Sequence, residues 1–367
     1  MTVNFFSLDK QTKALRKEID QALAEVINSS RFILGPNVKA FEEESAKYCC
    51  GKFGIGVASG TDAITLSLSA AGIGPGDEVI TVPFTFVATI ESVLHVGAAP
   101  VFVDIEPKSF CVDASQIEAK ITPKTKALLP VHLYGRLADM DSILKIAKKH
   151  NLKVIEDAAQ AIGATQGKHV ALSCGDAGAT SFFPTKNLGG VGDGGLIVTN
   201  DEKIAAKVKA LRGHGSTKTY MYDVIGYNSR LDEIQAAVLR IKLKKLDQWH
   251  VARNKNADLY YELLKDVSEV VLPEKPKDGR HVYNQLTIRA QKRDDLRETL
   301  KNKGIGAMVY YPLSLHKHVA YEFLGQKDAV FPECDRAEKE VLSLPIYPEL
   351  TPEEIKEVVS AIKEFYV

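Results

Sequence analysis

Short apolar runs alternate with helix-patterned stretches through the first 210 residues, and no other feature constrains the fold of this chain so strongly. The runs "GIGVAS" (54–59), "DEVITV" (77–82), "PVFVDI" (100–105), "KALLPV" (126–131), "KVIEDA" (153–158), "ATSFF" (179–183) and "GLIVTN" (195–200) are bounded by Gly, Pro or Asp. Helix-length segments at 62–72, 86–97 and 139–150 lie between several of them. Strands alternating with helices predict an α/β domain with a largely parallel sheet. The near-continuous hydrophobicity of the strands predicts burial on both faces.

A long, strongly charged helical stretch at about 231–265 follows and reads as a bridge. Beyond it, "HVYNQLTIRA" (281–290), a helix near 293–303, "AMVYYP" (307–312) and a terminal helix near 352–365 predict a smaller α/β domain. At 367 residues the chain exceeds the size at which one core stops growing, so two domains are expected, 1–250 and 251–367.

The 47 basic and 47 acidic residues cancel. A neutral chain without basic clusters gives no reason to expect a nucleic acid or an anionic membrane as partner, and a small molecule is the expected ligand. Cys49, Cys50, Cys111, Cys174 and Cys334 are odd in number and form no C-x-x-C pair, so they read as reduced thiols and no metal site is expected. The N-terminal stretch lacks an apolar core with a small-residue cleavage site, and no run reaches the ~18 apolar residues of a membrane span. A cytoplasmic location is expected.

In α/β folds, chemistry collects at the carboxyl ends of the strands. There "KVIE" runs into "DAAQAIGA", which places Asp157 and Gln160 just past a strand. Taken alone, Asp157 reads as the N-cap of a following helix. "SGTDA" (59–63) opens a helix after a strand, with Gly60 and Thr61 placed to offer amides and a hydroxyl to a phosphate. "SFFPTKNLGGVGDGG" (181–195) holds Lys186 in a Pro-Thr-Lys turn, Ser181 five residues before it, and glycines that leave the lysine room. It is not a P-loop, and its glycines run directly into the apolar run "GLIVTN" instead of opening a helix, so it is not the dinucleotide-binding fingerprint either. An anion seat, a carboxylate and an amine together describe a site for a phosphorylated aldehyde with a basic ring nitrogen.

These motifs, with "GYNSRLDEIQAA" (226–237) and "YYPLSLH" (310–316), occur in the order and spacing of one family. From about residue 31 to residue 348 the chain resembles the DegT/DnrJ/EryC1/StrS sugar aminotransferases. The resemblance implies a pyridoxal-phosphate (PLP) enzyme of fold type I, with a mostly parallel mixed sheet flanked by helices in the large domain and a smaller C-terminal α/β domain. It implies that Lys186 is the Schiff-base lysine and that Asp157 pairs with the pyridine nitrogen. Gln160 then lies near the phenolic oxygen, while Gly60, Thr61 and Ser181 contact the phosphate. Phe86 falls where the family places an aromatic over the ring, with core packing as the plainer alternative. Asn228 matches an asparagine sent into the neighbouring subunit's site, which implies a homodimer with shared active sites. Arg230 is expected to bind a carboxylate of the amino donor or an anionic group of the sugar, or else to pair with Asp232 or Glu233. Tyr310, Tyr311 and His316 lie in a substrate-binding stretch, although many relatives carry His at the position of Tyr310. His132 and His214 read as structural or solvated.

Relatives that act as dehydratases carry His where this chain has Lys186, so the resemblance implies transamination. The expected reaction is a ping-pong transfer from an amino acid, glutamate by analogy, to a nucleotide-linked keto-sugar, in the making of amino sugars for polysaccharides or glycosylated metabolites. "TFVAT" and "YYPxxxH" look more like the 3-keto subgroup than the 4-keto one. A nicotinamide-dependent oxidoreductase would carry Gly-x-Gly-x-x-Gly at the first strand, which is missing. A non-catalytic regulatory protein on this frame would have lost Lys186 or Asp157, and both are present.

Overall fold

Seven of the apolar runs become strands of one sheet in the computed structural model, which describes residues 2–218 and 220–367. They are β1 (Phe53–Val57), β2 (Glu78–Thr81), β3 (Ala99–Phe102), β4 (Thr125–Leu128), β5 (Lys153–Asp157), β6 (Ala177–Ser181) and β7 (Gly195–Thr199). Their spatial order is β1-β7-β6-β5-β4-β2-β3. The pairs from β6 through β3 are all parallel. β7 runs antiparallel to both β1 and β6, so the sheet is mixed. The cause is local: residues 182–194 join β6 to β7 without a helix, and a parallel return needs a long crossover, usually a helix.

Successive residues of a strand point to opposite faces, and here each face meets its own core. Ile55, Val57, Ile155 and Ile197 pack with Ile64, Leu66 and Leu68 of the helix Gly60–Ala70. Val154, Leu196, Val198 and Leu128 belong to the cluster on the other side. The strands are apolar with little alternation because both faces of the sheet are covered, with exposure confined to strand starts such as Ala99 and Lys126. Each fully buried Ile, Leu or Val contributes on the order of 1.5–3 kcal/mol relative to exposure.

A second antiparallel sheet of Val270–Val271, Leu286–Ala290 and Val341–Leu344 forms around its own core, which includes Tyr260, Leu264, Ile288, Leu342 and Val358. Val3 is buried in this core and bridges to Ile305, so the first residues of the chain pack with the C-terminal domain. The bridging stretch is two helices, Glu233–Leu243 and Leu246–Leu264, rather than one. The second of them spans both cores, with Leu246 in the first and Tyr260 in the second. A tight turn with Lys245 N–H donating to the Lys242 carbonyl separates them, and no Gly or Pro announces it.

Two further expectations change. "AMVYYP" forms no strand, only a bridge between Met308 and Ser343. "HVYNQLTIRA" becomes a strand only from Leu286, which leaves residues 281–285 irregular. Among the described residues no helix is long and apolar enough to cross a membrane. Nor do three or more His, Cys, Asp or Glu side chains there gather as a metal site would require.

Candidate active site

The carboxyl ends of β5 and β6 and the start of the Gly60–Ala70 helix open into one cavity of about 440 Å³. Asp157 ends β5 and Ser181 ends β6, and both line the cavity. Lys186 reaches it from the β6–β7 loop, and Gly60 and Thr61 from the helix's first turn. Gln160, Phe86, Tyr310 and Tyr311 complete the set of sequence-predicted residues in its wall.

Burial pushes the Lys186 amine down from 10.5 to about 8, with the Asp157 carboxylate pulling in the opposite direction. An amine in this range is partly neutral near physiological pH and so has a free lone pair. Asp157 is buried and held from two sides. Its Oδ2 accepts from Thr89 Oγ1 at 2.7 Å, and Oδ1 accepts from the Ala159 amide at 3.2 Å. No helix follows Asp157, so the N-cap reading is corrected: the carboxylate closes a local turn instead.

Thr89 was not among the expected residues. It sits in the first turn of the helix Ala88–His95, and its hydroxyl meets that of Thr85 at 2.9 Å. Thr85 lies in the bend before the helix, so the pair meets where the chain enters it rather than along one helical face. Tyr134 is a second such residue, since its backbone N–H donates to Gln160 Oε1 at 2.6 Å. Gln160 Nε2 in turn donates to the Tyr311 hydroxyl at 3.4 Å. Burial raises the Tyr311 phenol further above neutral pH, so it stays protonated.

The anion seat depends on close approach. Ser59 caps the helix, its Oγ accepting from Asp62 N at 3.0 Å, and Gly60 and Thr61 of the first turn line the cavity. A Cβ on Gly60 would stand 2.6 Å from Ser181 Cβ, and one on Gly195 would stand 2.2 Å from the Ser59 carbonyl oxygen. Glycine at both positions lets Ser181 and the helix N-terminus form one cradle. Amides, two hydroxyls and the positive end of a helix dipole suit a phosphate.

The other glycines of the loop do not clear space for the lysine, as the sequence suggested. A Cβ on Gly189 would lie 2.1 Å from the Pro184 carbonyl, and on Gly190 or Gly192 it would lie 2.7 Å from the Gln235 carboxamide. Gln235 Oε1 accepts from Val191 N at 2.8 Å, and buried Lys242 donates to the Gly189 carbonyl at 2.7 Å. The glycines let this loop lie flat on the Glu233–Leu243 helix.

Phe86 is 55 % exposed, which corrects its core-packing alternative; it stands at the cavity wall with its ring centroid 6.4 Å from Tyr311. His316 is a correction of another kind. It is buried at 1 % between Phe102 and Phe331, with Nε2 donating to the Ala329 carbonyl at 3.2 Å, and it does not line the cavity. The chain turns away after Tyr311, because Leu315 N–H is tied to the Pro83 carbonyl at 2.9 Å. Asn228 and Arg230 also lie outside this chain's cavity, where the Arg230 guanidinium donates to the Asn228 carboxamide. No ion pair joins Arg230 to Asp232 or Glu233 among the described residues; Glu233 instead accepts from the Val38 amide at 3.0 Å.

His132 is fully buried, and its Nδ1 accepts from the Ala138 amide at 3.2 Å. The proton therefore sits on Nε2, which faces Glu156 at 3.0 Å. Glu156 also accepts from the amides of Leu172, Cys174 and Gly175. Glu156 points to the strand face opposite Asp157, while His132 also borders the cavity.

The donor set fits pyridoxal phosphate: a cradle for the phosphate, an acid partner for the ring nitrogen and an amine near neutrality share one cavity. Comparison with known proteins agrees. The chain is 52 % identical to a protein of Geobacillus stearothermophilus named pleiotropic regulatory protein, over 100 % of this chain and 99 % of that one. It is 45 % identical to the UDP-N-acetyl-3-dehydro-alpha-D-glucosamine 3-aminotransferase of Acidithiobacillus ferrooxidans, over 95 % and 94 %. The crystal structure of S. venezuelae DesV superimposes with a TM-score of 0.97 at 41 % identity, covering 100 % of this chain and 98 % of that one. The sequence profile of one family matches residues 13–363, and the chain belongs to that family, the PLP-dependent DegT/DnrJ/EryC1/StrS aminotransferases.

Proposed function

We propose that this aminotransferase moves an amino group from glutamate to the C3 ketone of a nucleotide-linked sugar. The observation that carries the reading is Lys186, an amine lowered to about 8, in one cavity with the buried Asp157 carboxylate. Similarity to a UDP-sugar 3-aminotransferase supports the C3 choice. Bound in the cavity, pyridoxal phosphate supplies an aldehyde and a protonated ring that accepts electrons from the carbon being deprotonated.

In this reading the remaining work falls to the chain's own residues. Gly60, Thr61 and Ser181 hold the phosphate. Asp157, oriented by Thr89, keeps the ring nitrogen protonated. Lys186 Nζ removes a proton from the amino donor's α-carbon and handles the corresponding proton at the sugar carbon in the second half. Phe86 covers one ring face, and Tyr310 and Tyr311 border the substrate side.

The same reading includes a cytoplasmic homodimer. Tyr222, Ile225 and Met221 are exposed at 61 %, 97 % and 61 %, and Phe32, Ile33 and Leu34 are exposed as well. An apolar group of this kind beside Asn228 and Arg230 supports coverage by a second copy, with those two residues entering the partner's site.

The test is transfer of ¹⁵N from labelled glutamate across a panel of nucleotide-linked 3-keto and 4-keto sugars. Label is expected at C3. Label only at C4 sinks the regiochemistry, and no label in any sugar sinks the substrate class.

A further inference from the structure

Residues 282–285 lead into the strand Leu286–Ala290 of the smaller sheet, and Asn284 and Gln285 line the active-site cavity. Asn284 Nδ2 donates to Asn187 Oδ1 at 2.7 Å, and Asn187 Nδ2 donates to the Val282 carbonyl at 2.8 Å. Both asparagines are buried. They bolt this segment to the residue that follows Lys186. The Gln285 backbone N–H donates to the Tyr134 carbonyl at 3.4 Å. The backbone of Gln285 is therefore fixed relative to the reacting amine.

Its side chain differs from these neighbours. Gln285 Oε1 is buried and has no hydrogen-bond partner among the described residues. Buried polar atoms are almost always paired, and an unpaired one keeps its full desolvation cost. On the wall of a ligand cavity, such an atom calls for a partner that the ligand brings.

We propose that Gln285 is a specificity-determining contact for the sugar, hydrogen-bonding a ring hydroxyl or an acylamino N–H. The inference rests on the reading that a nucleotide-linked keto-sugar is the acceptor. Oε1 needs a donor. The carboxylates of glutamate only accept, and the amine of glutamate is the group that reacts, whereas a sugar hydroxyl donates and accepts. The terminal torsion of glutamine is broad and two-fold, so rotation brings either Oε1 or Nε2 to the cavity.

The experiment uses the cofactor-loaded enzyme and the Gln285→Met variant, which keeps side-chain length and removes both polar atoms. Gln285→Ala gives the same measurement should Gln285→Met fail to fold. The visible spectrum of the bound cofactor follows the two half-reactions separately, first with glutamate and then with the keto-sugar. Calorimetry measures the affinity for the nucleotide-linked amino-sugar product. Loss of one or two neutral hydrogen bonds is expected to weaken product binding and raise the sugar KM roughly 5- to 20-fold, with the glutamate half-reaction within about twofold of wild type. Equal losses in both halves, or no loss in the sugar half, overturn the assignment. A wild-type enzyme that aminates no keto-sugar overturns the substrate reading instead, which separates the two failures.

Discussion

An amine reacts with an aldehyde only through its lone pair, so the charge state of Lys186 sets when the site can load. Its value in the folded chain, about 8, lies below the ordinary 10.5, so the neutral form gains as pH rises through 8 rather than through 10.5. Cofactor uptake by the cofactor-free protein is expected to quicken up to about pH 8 and level off above it, read from the growth of visible absorbance. A flat profile across that range would show that this titration is not in control. Lys186→Ala is expected to lose both the absorbance and turnover, and normal turnover would remove Lys186 from the mechanism. Asp157→Asn is expected to lower kcat at least ~100-fold, the scale of removing one preorganised electrostatic partner. Thr89→Val leaves that carboxylate in place without its 2.7 Å donor. The expected loss there is on the order of 1 kcal/mol, or about fivefold in kcat. A Thr89→Val variant as impaired as Asp157→Asn, or unimpaired, would refute the orienting role.

At the scale of elements, the direction of β7 decides where the site forms. Because residues 182–194 contain no helix, β7 returns antiparallel beside β6, and Gly195 comes to lie against Ser59. Gly195→Ala would place a Cβ 2.2 Å from the Ser59 carbonyl oxygen, a backbone atom between β1 and the capped helix. Neither side has room to move without opening the β1–β7 pairing. The expected cost is about 1–3 kcal/mol of stability, with weakened phosphate binding. Chemical denaturation and cofactor titration check the two effects. Wild-type values for both would mean that the cradle tolerates a wider gap.

For the whole molecule, the decisive question is which chain completes each site. Lys186 faces its own chain's cavity, while Asn228 and Arg230 stand outside it, bonded to each other. If they enter the partner's site, an inactive Lys186→Ala chain and an inactive Asn228→Ala/Arg230→Ala chain complement one another. In the mixed dimer one site collects every defect and the other is fully wild type. Subunit exchange is then expected to restore up to about half of the wild-type activity per heterodimer, by two-fold symmetry. Mixed dimers that form and stay inactive would return both residues to their own chain.

The sequence alone was enough for the strand rhythm, the two-sided burial, the capped helix start at Gly60 and Thr61, and the placement of Asp157 and Lys186 at or just past the carboxyl ends of strands. Each of these depends on local pattern: apolar runs, a capped helix start, a turn. What it could not supply were relations between distant segments. The Asn187–Asn284 bond spans 97 positions, and nothing in either neighbourhood announces it. His316 shares a motif with Tyr310 and Tyr311 yet points into the core, because the Pro83 carbonyl captures Leu315 four positions after Tyr311. The loop glycines read as clearance for a lysine, but their neighbours are Pro184 and Gln235, and Gln235 lies on a helix more than 40 residues further on. Local chemistry determines which groups are available. Packing between remote elements determines which of them meet, since a contact needs both partners and each lies outside the other's sequence window.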